Sequence, residues 1–122
     1  MILKLNNKSE NFYNYLGRFF GSRIVELTTQ DRMYDDNNKD WYIYVQQDIV
    51  TSIVSIANSK IKNVYTTNIA HLSTLLTTLN KDVKIEPSTV TNIYKDIYEK
   101  CNFNVSDLGY KNFVKIWSNE NE

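Results

Sequence analysis

His71 is the chain's single histidine, and imidazole is the side chain best placed to take and give protons near neutral pH. No Asp or Glu stands close to it in sequence to orient the ring, as base catalysis ordinarily requires. It therefore reads as a surface residue in the first turn of a helix. Cys101 is the single cysteine, with Lys100 as its only basic neighbour, and reads as a small core residue rather than an activated thiolate. Asp31, Asp35, Asp36 and Asp40 crowd one short segment. A calcium loop starting at Asp36 places Asn38 and Asp40 well, but it puts Trp41 where glycine is needed and Gln47 where glutamate is needed. The cluster is a solvated turn on this evidence, and no metal is expected. Nine tyrosines and two tryptophans are many for this length. Tyr42 and Tyr44 alternate, so they share one face of a strand, while Trp41, Ile43 and Val45 share the other. Exposed tyrosines favour protein interfaces, which makes Tyr42 and Tyr44 candidate partner-binding residues.

These groups sit in a chain of 122 residues with 14 Lys+Arg against 14 Asp+Glu. That length predicts one domain over 1–122. A hydrophobic fraction of 42% excludes a disordered tail. Balanced charge argues against a dedicated nucleic-acid binder, which presents a basic surface. One cysteine forms no internal disulfide and suits a reducing compartment, so a cytoplasmic protein is expected. No apolar run reaches the ~20 residues that span a bilayer, and no secretory signal opens the chain. Sixteen asparagines, with many Lys, Ile and Tyr, follow the coding style of AT-rich genomes such as low-GC bacteria and their phages.

The elements that must position the candidates are legible as changes of period. Residues 1–5 alternate and read as a first strand. After Ser9, the spacing of Phe12, Tyr15, Leu16, Phe19 and Phe20 predicts a helix with an aromatic inner face. Gly21-Ser22 stops it, and Ser22 caps a shorter helix carrying Ile24, Val25 and Leu27. Three strands follow: 41–45, 49–57 and 60–67. Gln47-Asp48 and Asn58-Ser59 make the turns of an antiparallel meander. Leu72, Leu75, Leu76 and Leu79 form the stripe of a helix on a sheet. Residues 83–86 then read as a strand closed by Pro87, 91–101 as a last helix, and 105–117 as two strands around Gly109. The predicted order is β-α-α-β-β-β-α-β-α-β-β, a mixed sheet of α/β or α+β class.

This order, together with Ser22-Arg23-Ile24-Val25-Glu26, Arg32-Met33-Tyr34-Asp35-Asp36, Lys39-Asp40-Trp41-Tyr42 and Ile97-Tyr98-Glu99-Lys100-Cys101-Asn102-Phe103, resembles the GCN5-related N-acetyltransferase (GNAT) family in its small bacterial and phage-type members. The resemblance implies an acetyl-CoA site where two parallel strands, 60–67 and 83–86, splay apart. Pantetheine would pair with the backbone of Val64, Tyr65, Thr66 and Thr67. The pyrophosphate would sit on the next helix N-terminus, where free N–H groups and the helix dipole bind anions. The family's basic or amide residue and its two glycines there correspond to Thr67, Ala70 and Leu72, and no glycine lies between Gly21 and Gly109. Tyr98 corresponds to a family tyrosine that protonates the departing thiolate, a general-acid role. Glu86 is a guess for a general base, and Asn102 stands where the family has glycine.

Two functions stay open. In one, the chain is a GNAT-like protein with a degraded acyl-CoA site that needs no cofactor and acts by binding a protein partner, such as a host target of a phage. In the other, it is an active acetyl-CoA-dependent N-acetyltransferase acting on a small amine or a protein amine. Self-association is compatible with both.

Overall fold

The computed structural model describes residues 1–35, 38–109 and 112–119. Asp36 and Tyr110, both named above, lie outside the described residues. The chain is mixed α+β. In order it runs β1 (Ile2–Leu5), α1 (Phe12–Leu16) with a 3-10 turn at Gly17–Phe19, α2 (Arg23–Thr29), β2 (Asp40–Gln46), β3 (Ile49–Ala57) and β4 (Lys60–Thr66). Then come α3 (Ile69–Asp82), β5 (Ser88–Thr91), a 3-10 turn at Asn92–Tyr94, α4 (Lys95–Lys100), β6 (Phe103–Asp107) and β7 (Phe113–Ser118).

The strands form two antiparallel sheets, ordered β1-β2-β3-β4 and β5-β7-β6. Both tight hairpins of the first sheet turn through paired left-handed residues, Gln47-Asp48 at φ 51 and 64 and Asn58-Ser59 at φ 54 and 64. That conformation matches the twist of the flanking strands, and here it is reached without glycine. Ser22 caps α2 by accepting from the Val25 N–H at 3.3 Å, as its sequence position predicts.

Two clusters of buried side chains lie on opposite faces of the first sheet. Trp41, Ile43, Val45, Ile53 and Tyr65 meet Phe12, Leu16, Phe19 and Val25 from α1, the following 3-10 turn and α2. Tyr42, Val54, Ile56, Ile61 and Val64 meet the leucine stripe of α3, and this second cluster continues through Tyr98, Val90, Val114 and Ile116 of the second sheet and α4. Leu72, Leu75, Leu76 and Leu79 are all fully buried, so the stripe does what its spacing predicts.

The fifth strand departs from the sequence reading. It forms at Ser88–Thr91, after Pro87 rather than before it. The 83–87 segment buries Ile85, but its backbone bonds leave the ladder pattern. The Ile85 N–H donates to Ser118 Oγ at 2.7 Å and the Glu86 N–H to the Ser59 carbonyl at 2.8 Å. Pro87 has no N–H to donate, so the ladder starts only beyond it. Helix α4 is shorter than 91–101, its first turn being 3-10. Asn102 follows it at φ 67, the left-handed position that asparagine tolerates best after glycine.

Candidate functional site

Strand β4 closes the first sheet and β5 opens the second, and the two run side by side in the same chain direction. Ser59 meets Glu86 at one end, and the Ile61 N–H donates to Ser88 Oγ at 2.9 Å just beyond. At the other end the Thr66 N–H donates to the Tyr94 hydroxyl at 3.2 Å. A small cavity of about 90 Å³ sits in this seam, walled by Val64, Thr89, Val90, Thr91, Phe113 and Tyr98.

Tyr98 is fully buried, and its hydroxyl has no hydrogen-bond partner among the described residues. An orphaned buried hydroxyl costs about 1–3 kcal/mol. Burial drives its pKa far above the ordinary tyrosine value, with the neighbouring Tyr94 adding to the rise. A phenol held so firmly protonated is poorly matched to proton donation near neutral pH, where general acids work best with a pKa close to ambient. Tyr94 is also raised, chiefly by burial, with the Thr66 N–H pulling the other way.

The first turn of α3 follows β4 after only two residues, Thr67 and Asn68. Its N–H groups are largely spoken for. Thr67 donates to the Thr51 carbonyl at 2.9 Å, Asn68 to Thr66 Oγ1 at 2.9 Å, His71 to the Asn68 side chain at 3.2 Å and Leu72 to the Asn68 carbonyl at 3.1 Å. The Thr66 hydroxyl is tied in turn to Ser52, at 2.7 Å. The turn thus fits a pyrophosphate poorly in the manner the resemblance implies: it has no glycine, and the amides of Thr67, Asn68, His71 and Leu72 are held by the chain itself.

The Leu72 side chain points into the core with no exposure, away from the exposed turn formed by Thr67, Ile69 and Ala70. Val64 and Tyr65 are buried on opposite faces of β4, one under α3 and the other against Phe19. The six residues that the resemblance assigns to a cofactor are contiguous in space only as backbone.

The tyrosine face also reads differently. Tyr42 is 4% exposed and belongs to the core beneath α3. Tyr44 is half-buried and stacks on His71, ring centroids 4.1 Å apart and planes within 10°. His71 Nδ1 also shares a hydrogen bond with the Thr51 hydroxyl at 2.8 Å. Helix α3 covers the face that alternation alone assigns to solvent, so Tyr42 and Tyr44 do not present an open interface. His71 lies in the first turn of α3 as expected, but its ring is packed and bonded. Glu86 is exposed beside Ser59, at the end of the seam away from the first turn of α3. Cys101 is buried, with its thiol directed to the Ser73 carbonyl at 3.6 Å.

The aspartates separate by role. Asp35 accepts from the exposed Tyr13 hydroxyl, which raises that tyrosine's pKa. Asp31 Oδ2 accepts from Asn63 Nδ2 at 2.9 Å. Asn63 is buried in β4 and its Oδ1 accepts from Ser55 Oγ at 2.7 Å and from Lys39 Nζ at 3.0 Å. Lys39 is itself buried, its ammonium 4.6 Å from the Tyr34 ring centroid and 5.4 Å from that of Trp41. A larger cavity, about 520 Å³, opens over this network. Sequence reasoning gives Lys39, Asn63 and Tyr94 no role in a site. The one available signal is a lone asparagine amid the branched and aromatic residues of β4.

Among the described residues no three of His, Cys, Asp and Glu gather as a metal site, and no helix is long and apolar enough to cross a membrane. Comparison with protein families, curated proteins and solved structures finds no match.

Proposed function

We propose that this chain has the GNAT fold with its acyl-donor site closed from within, and that it works by binding a protein rather than by transferring an acetyl group. The element order and the same-direction pair β4 and β5 at the junction of two sheets support the fold reading. One observation carries the functional reading: in the turn from Thr66 to Leu72, the amides of Thr66, Thr67, Asn68, His71 and Leu72 are bonded within the chain. Support for a protein partner comes from large side chains left open to solvent, Tyr13, Ile24, Leu27 and Tyr34 being 58%, 70%, 67% and 54% exposed, with Ile24 and Leu27 on the same short helix. The coding style suits a phage protein acting on a host target.

Calorimetric titration with acetyl-CoA tests this reading. No saturable heat at millimolar cofactor is the expected result, and a dissociation constant in the low micromolar range overturns it. A second reading, an active N-acetyltransferase on a small or protein amine, is favoured by the small cavity between β4 and β5, with Tyr98 in its lining. If acetyl-CoA does bind, Tyr98→Phe should slow transfer several-fold with affinity unchanged; an equal rate removes Tyr98 from the chemistry.

A further inference from the structure

Four strands border the two sheets, β1 and β4 the first, β5 and β6 the second. An edge strand shows a row of unpaired N–H and C=O groups, and chains ordinarily blunt it with lysine, proline or a bulge. Three of the four borders are blunted in this way. Strand β1 has only four residues and carries Lys4. Strand β4 carries Lys60 and Lys62, and a bulge leaves Lys62 unopposed, since Ile56 faces Ile61 and Ser55 faces Asn63. Strand β5 starts directly after Pro87 and lies against β4. Strand β6, Phe103-Asn104-Val105-Ser106-Asp107, has no lysine, no proline and no bulge. Its one charge, Asp107, is matched within the chain by Lys95 at 3.3 Å.

The ladder fixes which backbone groups of β6 face outward. The Asn92 N–H donates to the Asn112 carbonyl at 2.9 Å, so the opposed pairs that exchange bonds continue through Val90 with Val114 and Ser88 with Ile116. Alternation turns the backbones of Lys115 and Trp117 the other way, toward Ser106 and Asn104 of β6. Phe103, Val105 and Asp107 therefore point their N–H and C=O groups away from β7. Among the described residues nothing bonds to them across that edge. Such a row is self-complementary. With a second β6 antiparallel about a twofold axis at Val105, Val105 stands opposite its own copy and Phe103 opposite Asp107 of the second chain. Each outward donor then meets an outward acceptor, and no like charges face each other. We propose that the chain pairs with a second copy of itself, edge to edge along β6, joining two three-stranded sheets into one continuous antiparallel sheet. The proposal goes beyond the protein-binding reading and uses neither the α3 turn nor the exposed side chains of α2.

Five residues a side bury less than a standard interface, so the dimer should be weak, forming between micromolar and millimolar chain. Sedimentation of the intact chain across that range should show a monomer–dimer equilibrium, and amide exchange over the same range locates it. The Phe103, Val105 and Asp107 amides should slow about tenfold at the high end. Those of Asn104 and Ser106, bonded to β7 in either state, should not change. Val105→Pro removes one outward N–H and none that the chain's own ladder uses, as edge prolines do, and should weaken association about tenfold. Val105→Lys, which sets two ammoniums face to face across the axis, should do the same. A chain that stays monomeric at millimolar concentration overturns the proposal and leaves the edge to another protein's strand. Concentration-dependent protection that falls on β1 or α2 and spares β6 also overturns it. So does a Val105→Pro or Val105→Lys variant that keeps its β5–β7 amide protection and associates as well as the parent.

Discussion

Tyr98 shows how far a single residue can be read. Its place on the last helix is evident from Ile97, Tyr98 and Cys101, and its burial follows from that helix packing on a sheet. That its hydroxyl would lack a partner is not legible, because the answer depends on how two sheets meet. The consequence for stability has a definite sign. Tyr98 and Tyr94 hold their protons more tightly in the folded chain than the ordinary tyrosine value near pH 10. Above that pH the unfolded chain binds fewer protons than the folded one, so unfolding becomes easier. Stability should be intact below about pH 10 and fall as pH rises beyond it. Urea melts from pH 8 to 11 would show this, and Tyr98→Phe should flatten the fall while raising the melting temperature by a few degrees at neutral pH. A melting temperature lowered by Tyr98→Phe would mean that the hydroxyl is satisfied after all. Tyr42 and Tyr44 teach the complementary lesson. A period of two says which residues share a face but not what covers it, and here α3 lies over that face, with the His71 ring against Tyr44.

Most helices and strands announce themselves through spacing and branching. The leucine stripe of α3 and the aromatic and β-branched run of β2 are placed to within a residue or two. The error at β5 has a physical cause, since Val83 and Ile85 alternate as strand residues do while Pro87 forces the ladder to begin after it. The bulge at Lys62 leaves no mark in sequence, because it depends on which residues of β3 stand opposite. The turn from β4 into α3 is the element on which the functional reading depends, and Asn68 is its keystone. Its side chain accepts from the His71 N–H. Asn68→Ala should cost about 1 kcal/mol, the usual value of an N-cap, and lower the melting temperature by a few degrees. Calorimetry that finds the variant as stable as the parent would show that other groups close this turn.

At the scale of the molecule, the α+β class follows from the sequence, whereas the two-sheet division does not. One core lies between α1, α2 and the first sheet, and the other runs under α3 across both sheets. The surface is partitioned as well, with Ile24 and Leu27 on α2 pointing away from both cores. Replacing each with lysine should change stability by less than about 0.5 kcal/mol, because neither contributes to packing. The same pair of changes should abolish cross-linking to whatever protein the wild type captures from a host extract. Equal cross-linking by the double variant would move the partner surface elsewhere.

Between β4 and β5, the bonds from Ile61 to Ser88 and from Thr66 to Tyr94 run through side chains, not through a backbone ladder. Each sheet thus keeps its own lattice of amide bonds, while the join between them is made by side chains and by the one apolar core that runs beneath both, so a change at Ser88 or Tyr94 should disturb how the sheets meet before it disturbs either sheet.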